Sequence, residues 1–285
     1  MAHLLARLVG WNDRWAKPFG EFNHRWVSAL FRPIRPVKDF LNGTWLGHPL
    51  HAVVTDVPIG ALTLALVLDL FGQSVAADIA ILVGVLSMVG SAVVGLADYA
   101  DTDGTARTRA TLHASLMVVA LVVYLASLGI RAGGPHDRTV AVLLSWVGYG
   151  ILAAGGFVGG DVVYVFGNMV NRHAWRGSGV KWIALEIGGD GEIPEGTPTK
   201  AKLGINSLVL IRQGETILAL HDQCAHAGGP LSEGTIVDGA IQCPWHGSQF
   251  RLRDGRLRRG PALYDQPAYE VRRGERGWEA RRAQA

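Results

Sequence analysis

Apolar and polar positions divide this chain into two kinds of territory. Four long apolar runs follow one another: Val53–Leu70, Ile79–Leu96, Leu112–Ile130 and Val140–Phe157. Each is about 18 residues, roughly 27 Å as a helix, close to the hydrocarbon thickness of a bilayer. Their connections, Gly72–Asp78, Asp98–Arg109 and Arg131–Arg138, are short and either polar or Gly/Pro-containing. The pattern predicts a bundle of four transmembrane α-helices. Beyond Lys181 it changes to short β-like runs, Trp182–Ile187, Ser207–Arg212 and Thr216–Leu220. Turn signals at Gly188-Gly189-Asp190-Gly191, Gln213-Gly214, Asp238-Gly239 and Asp254-Gly255 punctuate them, as in a small all-β domain. The expected organisation is an N-terminal segment (1–43), a membrane domain (44–170), a linker (171–180) and an all-β domain (181–283).

The first segment is amphipathic. Leu4, Leu8, Trp11 and Trp15 recur at helical spacing, as do Phe22, Trp26 and Leu30, until Pro33 and Pro36 break it. Interleaved Trp and Arg suit the lipid headgroup zone; a soluble helical cap on the next domain is the other reading. Arg7, Asn12, Asp13 and Arg14 interrupt its apolar run too early for a secretory signal. In the fourth helix, Gly155, Gly156, Gly159 and Gly160 form two overlapping small-residue pairs that allow close helix packing.

A net charge of +3 gives no reason to expect nucleic acid as a partner, but the placement of cations orients the chain. Arg32, Arg35, Lys38, Arg107, Arg109, Arg172, Arg176 and Lys181 flank the runs on the N-terminal side; Arg131 and Arg138 flank the other. The imbalance places the N-terminus, and after four spans the all-β domain, on the cytoplasmic face of an inner membrane. A ten-residue linker containing Gly177, Ser178 and Gly179 spans only about 18 Å root-mean-square, which keeps that domain near the membrane surface.

The chain has two cysteines. They stand in Cys224-Ala225-His226 and Cys243-Pro244-Trp245-His246, with sixteen residues between the two motifs. A disulfide is one reading, a metal site the other. Two thiolates and two imidazoles suit zinc or an iron–sulfur cluster. One residue between Cys and His is tight for zinc. It suits two loops that each give a Cys to one iron and a His to another.

These residues resemble the Rieske family over about 181 to 280. The resemblance runs through Cys224-Ala-His226-Ala-Gly-Gly-Pro-Leu231, Cys243-Pro-Trp-His246-Gly-Ser248, Phe250, Asp254-Gly255, Gly260-Pro261-Ala262 and Tyr269-Glu270-Val271. It implies a 2Fe-2S cluster with the cysteines on a buried iron and the histidines on an outer one. It also implies that Ser248 hydrogen-bonds a cluster sulfur, that Pro230 lies in a loop shielding the cluster, and that Gly247 sits beside it. The cytochrome bc branch carries one further cysteine in each loop; here Gly229 and Trp245 stand there. The resemblance is therefore to the ferredoxin-type branch, at the low end of a range of about −150 to +300 mV. Arg251, Arg253, Arg256, Arg258 and Arg259 follow the second loop. They suit an acidic redox partner, or simply a solvated or lipid-facing basic surface.

Residues 44–170 resemble an uncharacterised family of bacterial four-helix membrane domains. The residues concerned are Thr44-Trp-Leu-Gly-His48-Pro-Leu-His51, Asp56, Pro58, Ile59-Gly60, Gly95-Leu-Ala-Asp98, His113, Gly159-Gly160-Asp161, Tyr164 and Gly167. That family lends no function. His48, beside Pro49, is placed to cap the first helix. His51, Asp56, Asp98, His113 and Asp161 fall toward the same side, and ionisable groups at membrane depth are costly unless paired or used. Three readings stand: a polar cap tying helix ends together, a quinone site, or a b-type haem between His51 and His113 with Thr55 and Ser115 orienting the rings.

The expected function is single-electron transfer between a soluble partner protein and a membrane-bound one. A ferredoxin component of an oxygenase system and a cluster-based redox sensor are the alternatives. The catalytic subunit of a Rieske oxygenase is not expected, because only 39 residues, none of them His, follow His246. Nothing in the sequence sets the oligomeric state.

Overall fold

In the computed structural model the described residues are 9–133, 138–174, 181–188, 191–275 and 277–283. Leu4, Leu8, Arg176, residues 175–180 of the expected linker and the Gly189-Asp190 turn lie outside them. The chain divides into two compact units, one of Met1–Asn42 with Pro49–Asn168, the other of Gly43–His48 with Met169–Ala285.

The first unit is helical: α1 (Asp13–Phe31), α2 (Arg35–Asn42), α3 (Leu50–Val54), α4 (Asp56–Leu70), α5 (Ser74–Tyr99), α6 (Gly104–Ala132) and α7 (Thr139–Gly160), which continues in a π-turn over Asp161–Val165. Four stretches are long and apolar enough to cross a bilayer: Leu50–Leu70, Ser74–Tyr99, Gly104–Ala132 and Thr139–Val165. Each overruns its apolar run, because hydropathy registers only the segment that faces lipid, while the helix continues through its polar ends. Leu62, Ala65, Ile81, Val85, Met88, Ala120 and Tyr124 fill the interior. Leu64, Leu86, Val89, Val118, Val122 and Leu143 face outward and are equally apolar, as lipid requires.

The first span is broken at Thr55. Pro58 has no N–H to give the Val54 carbonyl, and the Ser91 hydroxyl, 3.4 Å away, bonds that carbonyl instead. The N-cap is Pro49, with no side-chain cap, so His48 does not take the capping role expected of it. His113 stands well inside a helix. Its helix begins at Gly104, nine residues earlier.

Buried charges close the bundle. Arg131, with 1% of its side chain exposed, pairs with Asp69 and with Asp78 at 2.9 Å, and bonds Ser127 and Ser145. Arg138 pairs with the same Asp78. Lys38 is buried against Asp101, which also accepts from Asn42 at 3.0 Å. Arg107 reaches Glu21 at 2.9 Å, and Arg109 pairs with Asp13. Several of the cations counted as membrane flanks are thus ties between elements. The last two pairs, with Tyr99 Oη donating to the Gly20 carbonyl at 3.0 Å, fasten α1 to the bundle. The opposite face of α1 leaves Trp15, Phe19, Phe22, Trp26 and Leu30 exposed. Of these four glycines in α7, Gly155 and Gly159 face close neighbours, whereas Gly156 and Gly160 do not.

The second unit is β-rich. One sheet has the order β1-β11-β10-β5-β4-β3-β2. Its members are β1 (Ile183–Ala184), β2 (Glu186–Ile187), β3 (Thr199–Leu203), β4 (Asn206–Gln213), β5 (Thr216–His221), β10 (Ala268–Gly274) and β11 (Gly277–Arg282). The other sheet runs β6 (Thr235–Val237), β7 (Ala240–Gln242), β8 (Gln249–Arg251) and β9 (Leu257–Arg259) in order. Asp238 and Gly239 both have positive φ, 46° and 75°, the tight turn that an Asp-Gly pair supplies between β6 and β7. Val209, Ile211, Leu220, Leu231, Ile241 and Phe250 form a core that also includes Cys224 and Cys243.

A two-loop site in the β-rich unit

Two loops project from this core, one between β5 and β6, the other between β7 and β8. Their backbones repeat each other. The Cys224 N–H donates to the Gly229 carbonyl at 2.8 Å, and the Gly228 N–H returns to the Cys224 carbonyl at 2.9 Å. At the same offsets the Cys243 N–H donates to Ser248 at 2.8 Å, and the Gly247 N–H to Cys243 at 3.1 Å. Gly228 and Gly247 have φ of +84° and +78°, a conformation glycine adopts without strain.

The structure brings the four candidate ligands together. Both cysteines are buried and free of a disulfide. The rings of His226 and His246 lie edge to face with centroids 4.9 Å apart. Among the described residues no three His, Cys, Asp or Glu side chains converge as on a single ion. The set is instead a thiol pair beside an imidazole pair. His226 is as buried as the cysteines, 4% exposed, and His246 is half-buried, so the histidine side is less open than the resemblance implied. Arg172 is one reason, since its Nε donates to the His226 carbonyl at 3.0 Å.

Each sulfur is addressed by main-chain N–H groups of its own loop: His226 and Ala227 for Cys224, Trp245 and His246 for Cys243. A hydrogen bond from the Cys224 thiol, with the N–H groups of its own loop, holds Cys243 down to about 7, while the same bond and burial push the Cys224 thiol up. Donors converging on sulfur favour thiolate over thiol. Two thiolates and two imidazoles on matched loops fit a two-iron cluster with split ligation.

The other expected positions fall around this centre. Ser248 is fully buried, and its Oγ accepts the Ala262 N–H at 3.0 Å, which leaves its own proton to give. Pro230 starts the 3-10 turn Leu231–Glu233 and bridges Gln223. A Cβ on Gly229 would lie 2.9 Å from Cys243 Sγ and from the Trp245 ring. Positions 229 and 245 therefore meet across the loops, with an indole against a glycine. Trp245 is 54% exposed. In the basic stretch, Arg251 and Arg256 share Asp254, and Arg258 reaches Asp238, which weakens its field.

Sequence reasoning missed the braces. Buried Gln266 donates from Nε2 to the His221 and Gln223 carbonyls, both at 2.6 Å, and accepts the Ala225 N–H at 3.0 Å. Buried Asp222 accepts from the Ser232 N–H at 2.7 Å and the Ser207 hydroxyl at 3.1 Å. His173 bonds the Gln223 carbonyl at 2.9 Å and packs its ring, tilted, against that of His221 with centroids 4.6 Å apart.

In the helical unit, His51 and His113 also come together, with ring centroids 6.3 Å apart. Thr55 and Ser115 do not orient them; their hydroxyls donate to Ala52 and Thr111.

A four-span membrane domain and a β-rich domain with paired Cys/His loops together define a membrane-borne iron–sulfur protein. Residues 184–270 match the Rieske [2Fe-2S] domain, and residues 47–172 match the family described as Predicted membrane protein (DUF2231). Over 86 residues the chain is 30% identical to the anthranilate 1,2-dioxygenase ferredoxin subunit of Burkholderia cepacia, covering 30% of this chain and 80% of that one. It is 30% identical over 81 residues to apoptosis-inducing factor 3 of Mus musculus, which is 28% of this chain but spans only 13% of that relative's length. The solved ferredoxin of carbazole 1,9a-dioxygenase from Nocardioides aromaticivorans IC177 is 24% identical, with 35% of this chain and 96% of that chain covered at a TM-score of 0.30. The chain belongs to the Rieske [2Fe-2S] family, as a Rieske electron-transfer domain joined to a membrane domain of four apolar helices.

Proposed function

We propose that Cys224 and Cys243 hold one iron and His226 and His246 the other. The protein then carries single electrons between a soluble partner and a membrane-bound redox group, with the Rieske domain on the cytoplasmic side. The matched loops, with main-chain donors converging on both sulfurs and the imidazoles paired beside them, carry this reading. The cluster supplies a one-electron couple. The chain's part is to set its potential and access. The loop N–H groups stabilise negative charge on sulfur, Ser248 adds a hydroxyl donor, and two neutral imidazoles in place of thiolates raise the potential. Exposed Trp245, next to His246 in the sequence, offers the soluble partner an apolar landing point on the second loop. The name of the Burkholderia relative supports an oxygenase as one such partner. On the membrane side the redox group is placed at His51 and His113, where an imidazole pair offers haem or quinone chemistry.

The test is EPR of dithionite-reduced, purified full-length protein with iron and sulfide analysis. A His-ligated 2Fe-2S signal is expected, lost in Cys243→Ser. His246→Cys is expected to lower the potential by adding negative charge. A protein holding zinc alone refutes the assignment. Reporters fused after Arg131 and after Ala285 should fall in opposite compartments, the latter cytoplasmic; an exported C-terminal reporter refutes the orientation.

A further inference from the structure

The two histidines of the membrane domain sit in matching settings. His51, at the start of the first span, places Nδ1 3.0 Å from the Ser91 carbonyl of the second. His113, on the third span, places Nδ1 2.8 Å from the Gly155 carbonyl of the fourth. Four residues past each carbonyl stands a glycine against the same ring. A Cβ on Gly95 would lie 2.8 Å from the His51 ring, and one on Gly159 2.9 Å from that of His113. Each helical hairpin thus contributes the same device: a histidine, a carbonyl that fixes it, and a glycine that lets the ring lie close to the neighbouring helix.

The carbonyls decide the tautomer. A carbonyl only accepts, so Nδ1 carries the proton in both rings and Nε2 carries the lone pair. Among the described residues neither Nε2 has a protein hydrogen-bond partner. Two Nδ1-anchored imidazoles presenting basic Nε2 atoms are the form in which histidines bind metal. Their separation fits one metal between them. A bond of about 2 Å on each side, and about 1 Å from nitrogen to ring centre, puts the centroids about 6 Å apart; the observed separation is 6.3 Å. No third His, Cys, Asp or Glu among the described residues converges there. The remaining coordination positions must come with the ligand, as the four nitrogens of a porphyrin do. Neither histidine stands in a Cys-x-x-Cys-His run, so the sequence carries no signal for thioether attachment. A quinone would use the same histidines as hydrogen-bond partners, but it does not require this spacing or the shared tautomer.

We infer that His51 and His113 are the axial ligands of a non-covalently held b-type haem inside the four-span bundle. This rests on the redox reading of the membrane domain above and makes one side of it specific. The ring planes are 85° apart. Near-perpendicular axial imidazoles give ferric haem a highly anisotropic low-spin EPR signal, distinct from the rhombic signal of parallel rings.

The experiment uses full-length protein expressed with added δ-aminolevulinate and purified in detergent. A pyridine haemochrome, a reduced-minus-oxidised spectrum and ferric EPR are recorded alongside the cluster signal. One haem b per chain with the anisotropic signal is expected. His51→Ala and His113→Ala should each abolish it while the cluster signal persists. His51→Met should retain haem with displaced bands. If the alanine variants fail to accumulate, Gly159→Ala, which displaces the His113 ring, should alter the EPR anisotropy; an unchanged signal overturns the proposal. Protein with an intact cluster but no haem overturns the haem site and leaves the cluster carrier standing, as does quinone extracted in place of haem. Haem that survives both alanine variants overturns the ligand assignment.

Discussion

Replacing Gln266 with Leu keeps nearly the same volume but removes three hydrogen bonds inside the first cluster loop. The Gln223 carbonyl retains a partner in His173. The Ala225 N–H and the His221 carbonyl lose the bond that Gln266 supplied. Leaving a buried polar group unsatisfied costs about 1–3 kcal/mol, so the two together amount to about 3 kcal/mol. A domain of roughly 100 residues loses about 4–8 °C per kcal/mol, which predicts a fall of about 12–24 °C in the unfolding midpoint. Because cluster loss is irreversible, the comparison is the temperature at which visible absorbance bleaches, at one scan rate for both proteins. Ala225 lies between Cys224 and His226, so the variant should also broaden the EPR signal before any unfolding. Gln266→Glu should be worse, since it would bury a negative charge against two carbonyl oxygens. If Gln266→Leu bleaches at the wild-type temperature with an unchanged EPR line, the amide is not bracing the loop and the reasoning fails.

Gly229→Ala places a methyl 2.9 Å from Cys243 Sγ and the Trp245 ring. Overpacking of this kind costs about 1–3 kcal/mol and should lower the iron recovered per chain, whereas the same change at open Gly188 should not. Ser248→Ala removes the acceptor of the Ala262 N–H and the hydroxyl donor beside the cysteines. The midpoint potential should fall, and an unchanged potential would show that the hydroxyl does not reach the cluster. Arg131→Leu leaves Asp69, 3% exposed, without its guanidinium. Breaking a buried pair from one side costs about 3–5 kcal/mol, so detergent-solubilised protein should melt lower. Adding Asp69→Leu should recover much of the loss.

The spans were legible because lipid imposes one rule on every outward position: roughly 18 apolar residues in a row. Their ends were not, because the same rule stops applying where the polar turns begin. The break at Thr55 follows from Pro58, which could be read, but its repair by Ser91 depends on which helix lies alongside. The partners of the flanking cations were hidden for the same reason. Arg131 and Lys38 look like interfacial charges along the chain, and only tertiary packing sets Asp69 and Asp101 beside them.

Around the cluster loops the division is sharper. The candidate ligands advertise themselves, since Cys and His at these spacings have few other uses. Braces do not. Gln266 lies 20 residues past His246, and nothing about one glutamine in Tyr264-Asp265-Gln266-Pro267 sets it apart. Its place becomes visible only through Gly255. The φ there is +72°, and a Cβ would lie 1.8 Å from the Gln266 carbonyl oxygen. The glycine lets the two backbones meet, with the Gln266 N–H donating to the Gly255 carbonyl at 2.8 Å, and so delivers the amide beneath the first loop. Asp254-Gly255 was legible as a turn, but its use is to carry a residue from the second sheet's margin to the first loop's floor. Any change that straightens this turn should therefore act on the cluster at a distance. Gly255→Ala is expected to loosen the Cys224 loop and lower cluster retention while Cys243 and its own loop keep their contacts. Equal damage to both loops would mean that the turn matters to the domain as a whole rather than through Gln266.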